Sequence, residues 1–299
     1  MRPPHVAALD SLRGLALGDS FGEQWFFRPA SEFERGFAER LSPPAPWRWT
    51  DDTAMALSLY RMLVTHGEVH QDDLAAMFAE TYVTDPYRGY GAAMHDVLLT
   101  IAEGEPWSTV TAKQFDGQGS WGNGAAMRVA PLGAFFASDL DQVQEQAHRS
   151  AVVTHAHPEA AAGAIAVAVA AALAVRGASS DEVIGAVAER TPDSEVRSGL
   201  QRVANRPLSD TPQSVAAEVG CGSQVSAQDT VPYAVWCAAR HLDDLVSALW
   251  TTASAGGDID TTCAIVGGIV GGRTGLDAVP DEWIQASEAL PEWTESPRG

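Results

Sequence analysis

Gly256-Gly257-Asp258-Ile259-Asp260-Thr261-Thr262 places two carboxylates and a hydroxyl directly before the apolar run Cys263-Ala264-Ile265-Val266-Gly267-Gly268-Ile269-Val270. In an extended segment Asp258 and Asp260 point the same way, and Thr261 can start the helix that the apolar run continues. Three hard oxygens then converge at a helix N-terminus, where one cation could be held. Asp and Thr are also ordinary helix N-caps, so the stretch taken alone admits a purely structural explanation.

Far upstream, Trp49-Thr50-Asp51-Asp52-Thr53 repeats the pattern before Ala54-Met55-Ala56-Leu57-Ser58-Leu59. One Asp suffices as a cap, and two adjacent carboxylates at one helix start repel each other unless they share a cation. Together the stretches offer Thr50, Asp51, Asp52, Asp258, Asp260 and Thr261, an all-oxygen set suited to Mg²⁺ or Mn²⁺ and unsuited to structural zinc. That set exceeds the needs of one six-coordinate ion, so two divalent cations are expected.

These motifs, with Gly119-Ser120-Trp121-Gly122-Asn123-Gly124-Ala125-Ala126-Met127-Arg128 and Thr154-His155-Ala156-His157-Pro158 between them, resemble the ADP-ribosylglycohydrolase family of the dinitrogenase-reductase-activating type. The order of the motifs matches, over about residues 12–272. The resemblance implies metal-dependent release of ADP-ribose, with Asp52 and Asp260 at the reacting centre and His155 bonded to substrate phosphate or ribose. It also implies a mobile glutamate a few residues beyond Gly18-Asp19. Phe26 occupies its commonest position and Phe27 follows, which leaves Glu23 as the candidate, with a solvated surface carboxylate as the alternative.

The glycine-rich turn has its own physical logic. Glycines opening a helix leave N–H groups unpaired and admit a ligand close to the backbone, as a diphosphate or ribose requires. Gly119, Ser120, Trp121, Gly122, Asn123 and Gly124 are therefore substrate-binding candidates, although Trp121 equally suits core or rim packing. His155 and His157 form an H-x-H pair that invites a zinc reading, but no third soft ligand lies nearby, and His157 serves equally as a helix cap.

The chain has 299 residues, 45% hydrophobic and 19% charged, enough for a large core. Ala-rich stretches without strand-like alternation point to an all-α, orthogonally packed single domain over residues 1–299, with a core from about 6 to 272 and a poorly ordered or surface-wrapping tail over 273–299. Gly14 and Gly18 in the first helix would let another helix or a ligand approach closely. Residues 34–47 read as a Pro-rich loop, and residues 160–175 as a buried helix too short for a membrane span. Tyr233 is a stacking candidate with core packing as its default. The segment 178–228 carries no functional signal.

Nineteen basic against thirty-nine acidic residues give a formal charge of −20, which opposes duplex nucleic acid and anionic membranes. Cys221, Cys237 and Cys263 have neither metal-ligand spacing nor an even count, which favours a reducing cytoplasm. The expected partner is an ADP-ribosylated protein or a small ADP-ribose conjugate, acted on by a monomer. Arginine N-linkage is the leading substrate. Serine, acetyl-ester and guanidine conjugates stay open, as do a crystallin-like ADP-ribose-binding role without turnover and a metal-dependent phosphohydrolase.

Overall fold

The computed structural model describes residues 2–26 and 28–295, and these are helical with no β-sheet beyond two isolated bridges. The first third holds α1 (Pro4–Glu23), α2 (Ala30–Glu39), α3 (Asp51–His66), α4 (Gln71–Thr84), α5 (Ala92–Ala102) and α6 (Trp107–Gly117). Next come α7 (Gly124–Met127), α8 (Ala130–Phe135), α9 (Leu140–Val152), α10 (Pro158–Val175), α11 (Ser180–Arg190) and α12 (Glu195–Ala204). The chain closes with α13 (Pro212–Val219), α14 (Ala227–Arg240), α15 (Leu245–Ala253), α16 (Ile259–Thr274) and α17 (Asp281–Ala286).

Two of these helices set the frame. α10 is buried along almost its whole length because its Ala, Val and Ile residues present apolar surface on every side. Its 18 residues and mean hydropathy of 1.9 would allow a membrane span, so length alone does not exclude one. The burial of 78% of that window inside the protein identifies it as a core helix. His157 caps it, its Nδ1 accepting from the Glu159 N–H at 3.1 Å, and Pro158 follows where no N–H is needed.

α1 and α16 form the second axis. Gly14, Gly18 and Gly22 on α1 face Gly267, Gly271 and the backbone of Ile259 to Cys263 on α16. A Cβ on Gly18 would lie 2.0 Å from the Cys263 carbonyl oxygen, so the backbones touch where a side chain would otherwise separate them. The close approach expected at Gly14 and Gly18 is therefore that of a helix. Gly18–Glu23 forms the last turns of α1, which ends at Glu23.

Two segments depart from expectation. α2 occupies Ala30–Glu39 and so takes in the first part of the stretch read as a loop, because Trp25, Phe33 and Phe37 form an aromatic cluster that its amphipathic face covers. The tail packs rather than frays: Trp283 is buried and stacks on Phe21 with centroids 4.7 Å apart. Trp47 N–H donates to the Ala286 carbonyl at 2.7 Å, and Glu288 N–H donates back to the Trp47 carbonyl at 2.8 Å.

Candidate active site

α3 and α16 start side by side, and both starts open into one cleft of about 400 Å³. Thr50 is the N-cap of α3, its hydroxyl accepting from the Asp52 N–H at 3.4 Å, so Asp51 and Asp52 fall in the first turn. On α16 the cap is Asp258, which makes no side-chain cap bond, and Ile259 begins the helix. Asp258 and Asp260 thus meet the cleft from a cap and a first turn, not from an extended strand, and Thr261 lies inside the helix. The Thr261 hydroxyl stands 3.5 Å from Asp52 Oδ2 across the two helix starts.

Asp19, on α1, is the residue that sequence reasoning passed over. It is fully buried, and its carboxylate accepts from Thr50 N at 2.9 Å, Thr50 Oγ1 at 2.9 Å, Thr53 N at 3.1 Å and Thr53 Oγ1 at 2.5 Å. Its oxygens are spent on pinning the start of α3. Thr50 is therefore held from behind and does not line the cleft, unlike Asp51, Asp52, Asp258, Asp260 and Thr261. A second brace comes from Arg88. Its carbonyl accepts from Asp51 N–H at 2.7 Å, its guanidinium donates to Trp49 O at 3.0 Å, and the same group forks onto Glu288 at 2.8 and 2.9 Å.

The acidic set is electrostatically frustrated. Burial, then the Asp19 charge, raises Asp51 to about 8, and burial raises Asp19 to about 6 despite its hydrogen bonds. Asp52 and Asp260 are pushed well above the usual carboxylate range, chiefly by burial and then by Asp260 and Asp258 respectively. Asp52 Oδ1 is buried and has no hydrogen-bond partner. An orphaned acceptor beside like-charged neighbours is what a bound cation would satisfy, so these residues fit a divalent metal.

A stability test follows from these directions. Groups with raised native pKa contribute stability that is present below 3.8 and lost as pH rises through about 6 for Asp19 and about 8 for Asp51. His155 acts oppositely: burial, then the Arg128 charge, lowers it to about 3, so its contribution is lost as pH falls from 6.5. Several carboxylates outweigh one imidazole. The metal-free protein is expected to melt at higher temperature near about pH 5.5 than near about pH 8, and excess Mg²⁺ should flatten the difference. Calorimetric scans with and without chelator measure it, and an equal pH slope in both would count against cation binding here.

The glycine-rich turn forms the opposite wall. Ser120, Trp121, Gly122, Asn123 and Gly124 line the cleft with His155, whereas Gly119 does not. Gly119 has φ +78 and abuts the backbone of Ala156 and His157, so its place is a turn that packs against the His155 loop. Asn123 faces the acids: its Nδ2 donates to Asp258 Oδ2 at 2.6 Å and Thr230 Oγ1 at 3.0 Å. Trp121 and Phe115, with centroids 5.0 Å apart, make an aromatic side of the cleft. Gln224 and Val225 complete it from within the segment that carried no sequence signal. Backbone pairing brings that segment here: Asn123 N–H donates to the Val225 carbonyl, Ala227 N–H to the Trp121 carbonyl, and Asp258 N–H to the Cys221 carbonyl.

Behind this wall a hydrogen-bonded chain runs from Arg128 through Thr154 to His155. Arg128 is buried at 0% exposure, and its Nη2 donates to the Thr154 hydroxyl at 2.9 Å. That oxygen lies 2.8 Å from His155 Nδ1 and, with its own proton turned to the ring, leaves Nδ1 an acceptor. The Nε2 of the neutral ring then carries the N–H, and it lies beside Gly122 and Gly124. Thr154→Val should leave the fold intact and weaken ADP-ribose binding roughly tenfold, the value of one lost hydrogen bond of about 1.4 kcal/mol. Calorimetry measures the affinity, and nitrogen NMR of the imidazole reports whether the tautomer has changed.

The remaining candidates divide clearly. Glu23 ends α1 half-buried and outside the cleft lining, yet burial and the charges of Asp19 and Asp258 raise it. Phe27 lies outside the described residues. Tyr233 is core, its hydroxyl donating to the Thr252 carbonyl at 2.9 Å. His157 is spent on its cap, which removes the zinc reading of the H-x-H pair. A larger cavity of about 520 Å³ lies behind α3, lined by Trp49, Leu57, Arg61, Arg88 and Trp293 among others. It contains none of the acids at the two helix starts, so the chemistry belongs to the smaller cleft.

A family model described as ADP-ribosylglycohydrolase matches residues 4–296. The chain is 34% identical to human ADP-ribosylhydrolase ARH3 over 278 residues, covering 82% of this chain and 76% of that protein. It is 25% identical over 287 residues to the ADP-ribosyl-[dinitrogen reductase] glycohydrolase of Rhodospirillum rubrum, covering 94% and 90%. A solved structure titled ADP-ribosylglycohydrolase-related protein complex superposes with TM-score 0.69 at 25% identity, over 99% of this chain and 96% of that one.

Proposed function

The chain belongs to the ADP-ribosylglycohydrolase family, and from that premise we propose that it hydrolyses an ADP-ribosyl glycosidic bond in the cleft between the starts of α3 and α16. The observation that supports this most is convergence: Asp51, Asp52, Asp258, Asp260 and Thr261 share one cleft with Ser120 to Gly124 and His155. Two divalent cations, Mg²⁺ or Mn²⁺, would be held by Asp51, Asp52, Asp258, Asp260 and Thr261, with Thr50 reaching them from behind the lining through the hydroxyl lone pair left over from its bonds to Asp19 and Asp52. Bound there, they would supply positive charge for the ribose hydroxyls and for the attacking water.

The chain's own residues carry the rest. The backbone of Ser120 to Gly124 receives the diphosphate and proximal ribose, and the Nε2–H of His155 donates to one of their oxygens. Phe115 and Trp121 offer the aromatic faces that exclude water from one side. As the bond to ribose breaks, positive charge develops on the sugar, and the carboxylates of Asp52 and Asp260 stabilise it. A guanidine leaves as a neutral group and needs no anion stabilisation, which favours an arginine conjugate as substrate. The three cysteines are unpaired, which supports action in the cytoplasm, and we take the active species to be a monomer.

Release of free ADP-ribose from arginine-, serine- and acetyl-ester-linked conjugates, measured before and after metal removal, tests the proposal. Metal-dependent release with preference for arginine is expected. Release of inorganic phosphate, or ADP-ribose binding without turnover of any conjugate, would replace it.

Glu23 provides a separable check. Its position near Asp19 and Asp258 suits a carboxylate that moves toward the attacking water, so Glu23→Gln should lower single-turnover rates by about a hundredfold at unchanged ADP-ribose affinity. A wild-type rate at saturating metal would remove Glu23 from the reaction and leave proton transfer to Asp51 or Asp52.

A further inference from the structure

A second group of metal-ligand side chains stands at the far end of α3, about 22 Å along the helix axis from Asp51. His66, in the last turn of α3, His70 and Asp73 place one ligand atom each within 4.8 Å of one another. We propose that this corner is a Zn²⁺ site, chemically distinct from the all-oxygen cleft and independent of its function.

The backbone builds the corner. Gly67 ends α3 with φ 77, and α4 begins after His70, so the chain reverses within a few residues and brings the two imidazoles to a centroid separation of 4.8 Å. The turn is anchored from beneath. Val69 is buried, its N–H donates to Gln146 Oε1 at 2.7 Å, and Gln71 Nε2 donates to the Arg149 carbonyl at 2.9 Å. His70 is the N-cap of α4 but makes no cap bond with its side chain, so the ring is not spent on the helix start.

The ring's neighbours point to a cation. His70 Nε2 lies 3.2 Å from Glu68 Oε1, and Nδ1 lies 3.5 Å from Asp73 Oδ2. A neutral imidazole carries one N–H, so only one of these carboxylates can accept from it, and the other faces a lone pair. With the proton on Nε2, Glu68 orients the ring as metal-ligating histidines are usually oriented, and Nδ1 is the ligand atom. Donors each about 2.1 Å from a tetrahedral zinc stand about 3.4 Å apart, close to the spacing of His70 Nδ1 and Asp73 Oδ2. His66 supplies the second nitrogen. Two imidazoles and a carboxylate favour zinc and its neighbours over Mg²⁺ and leave a fourth position for water. Asp72, the adjacent acid, is occupied by the Trp107 indole N–H at 2.7 Å.

Titration calorimetry with Zn²⁺ as the only added transition metal, on the full chain in excess Mg²⁺ to occupy the cleft, tests the site. Wild type should bind one zinc. His66→Gln and His70→Ala should each weaken it about tenfold or more, Glu68→Gln should weaken it less, and the exposed His148→Ala should leave it unchanged. Copper substituted as a probe should show two-nitrogen hyperfine structure in electron paramagnetic resonance that His70→Ala loses. Hydrolase turnover and melting temperature in chelator should match wild type in these variants, which separates site loss from misfolding. Zinc affinity equal in wild type and in the His66→Gln, His70→Ala pair, or no zinc bound by wild type in excess Mg²⁺, overturns the proposal.

Discussion

Asp260→Asn is expected to reduce turnover by roughly a thousandfold, about 4 kcal/mol of transition-state stabilisation, while raising the melting temperature of the metal-free protein. Both effects come from one carboxylate. Asp260 sits in the first turn of α16, and its charge is the largest neighbouring influence on Asp52 after burial. Without a cation the two acids oppose each other in a poorly solvated place, so neutralising one relieves the fold. With a cation, the same change removes a ligand oxygen's charge and one of the groups facing the developing positive sugar. Asp52→Asn should behave alike. The paired measurement is release of free ADP-ribose at saturating Mn²⁺ and thermal unfolding in chelator. Full activity in either variant would sink the assignment, and a lowered metal-free melting temperature would show that the carboxylate serves the fold.

Gly18→Ala is expected to cost about 3 kcal/mol or more of stability, a large effect for one methyl group. Its Cβ would fall 2.0 Å from the Cys263 carbonyl oxygen and 3.2 Å from the Ala264 nitrogen, both backbone atoms that cannot swing aside. Relief requires α1 to lift from α16, and the two helices carry Asp19 and Asp260, so metal affinity should fall together with stability. The comparison variant is Gly185→Ala. In α11 nothing lies within 4 Å of the position a Cβ would take, and removing a helix-interior glycine there should stabilise by about 0.5–1 kcal/mol. Urea unfolding of the two variants should therefore shift in opposite directions. A neutral Gly18→Ala would mean that the helices can separate cheaply.

The legible parts of this protein were those in which residue type limits the conformation or chemistry to few choices. Paired Asp residues at two helix starts have few uses, and Asp51, Asp52, Asp258, Asp260 and Thr261 do share one cleft, with Thr50 behind them. Glycines spaced along α1 foretold close approach, although not that the partner would be a glycine-bearing helix. Asp19 escaped because a single Asp within a helix has no local mark of being buried; its partners Thr50 and Thr53 lie more than thirty positions away. Gln224 and Val225 escaped for the same reason: their place is set by backbone pairing with the glycine-rich turn, not by their own chemistry. α2 was hidden by the Pro-rich residues after it, and the tail by its Gly, Pro and acidic composition, which outweighed the two Trp residues that dock, Trp283 on Phe21 and Trp293 on Tyr60.

The α1 and α16 contact also bears on how the protein is made. Its touching glycines, Gly14 and Gly267, are separated by most of the chain, and so are Asp52 and Thr261. During synthesis α1 and α3 leave the ribosome long before the segment that completes their packing, and helix formation within α10 or α11 cannot substitute for it. High sequence separation of this kind slows folding and leaves apolar surface uncovered in the interval. The cleft is then among the last features to form: a nascent chain that stops short of residue 258 has Asp51 and Asp52 but none of the acids that stand opposite them.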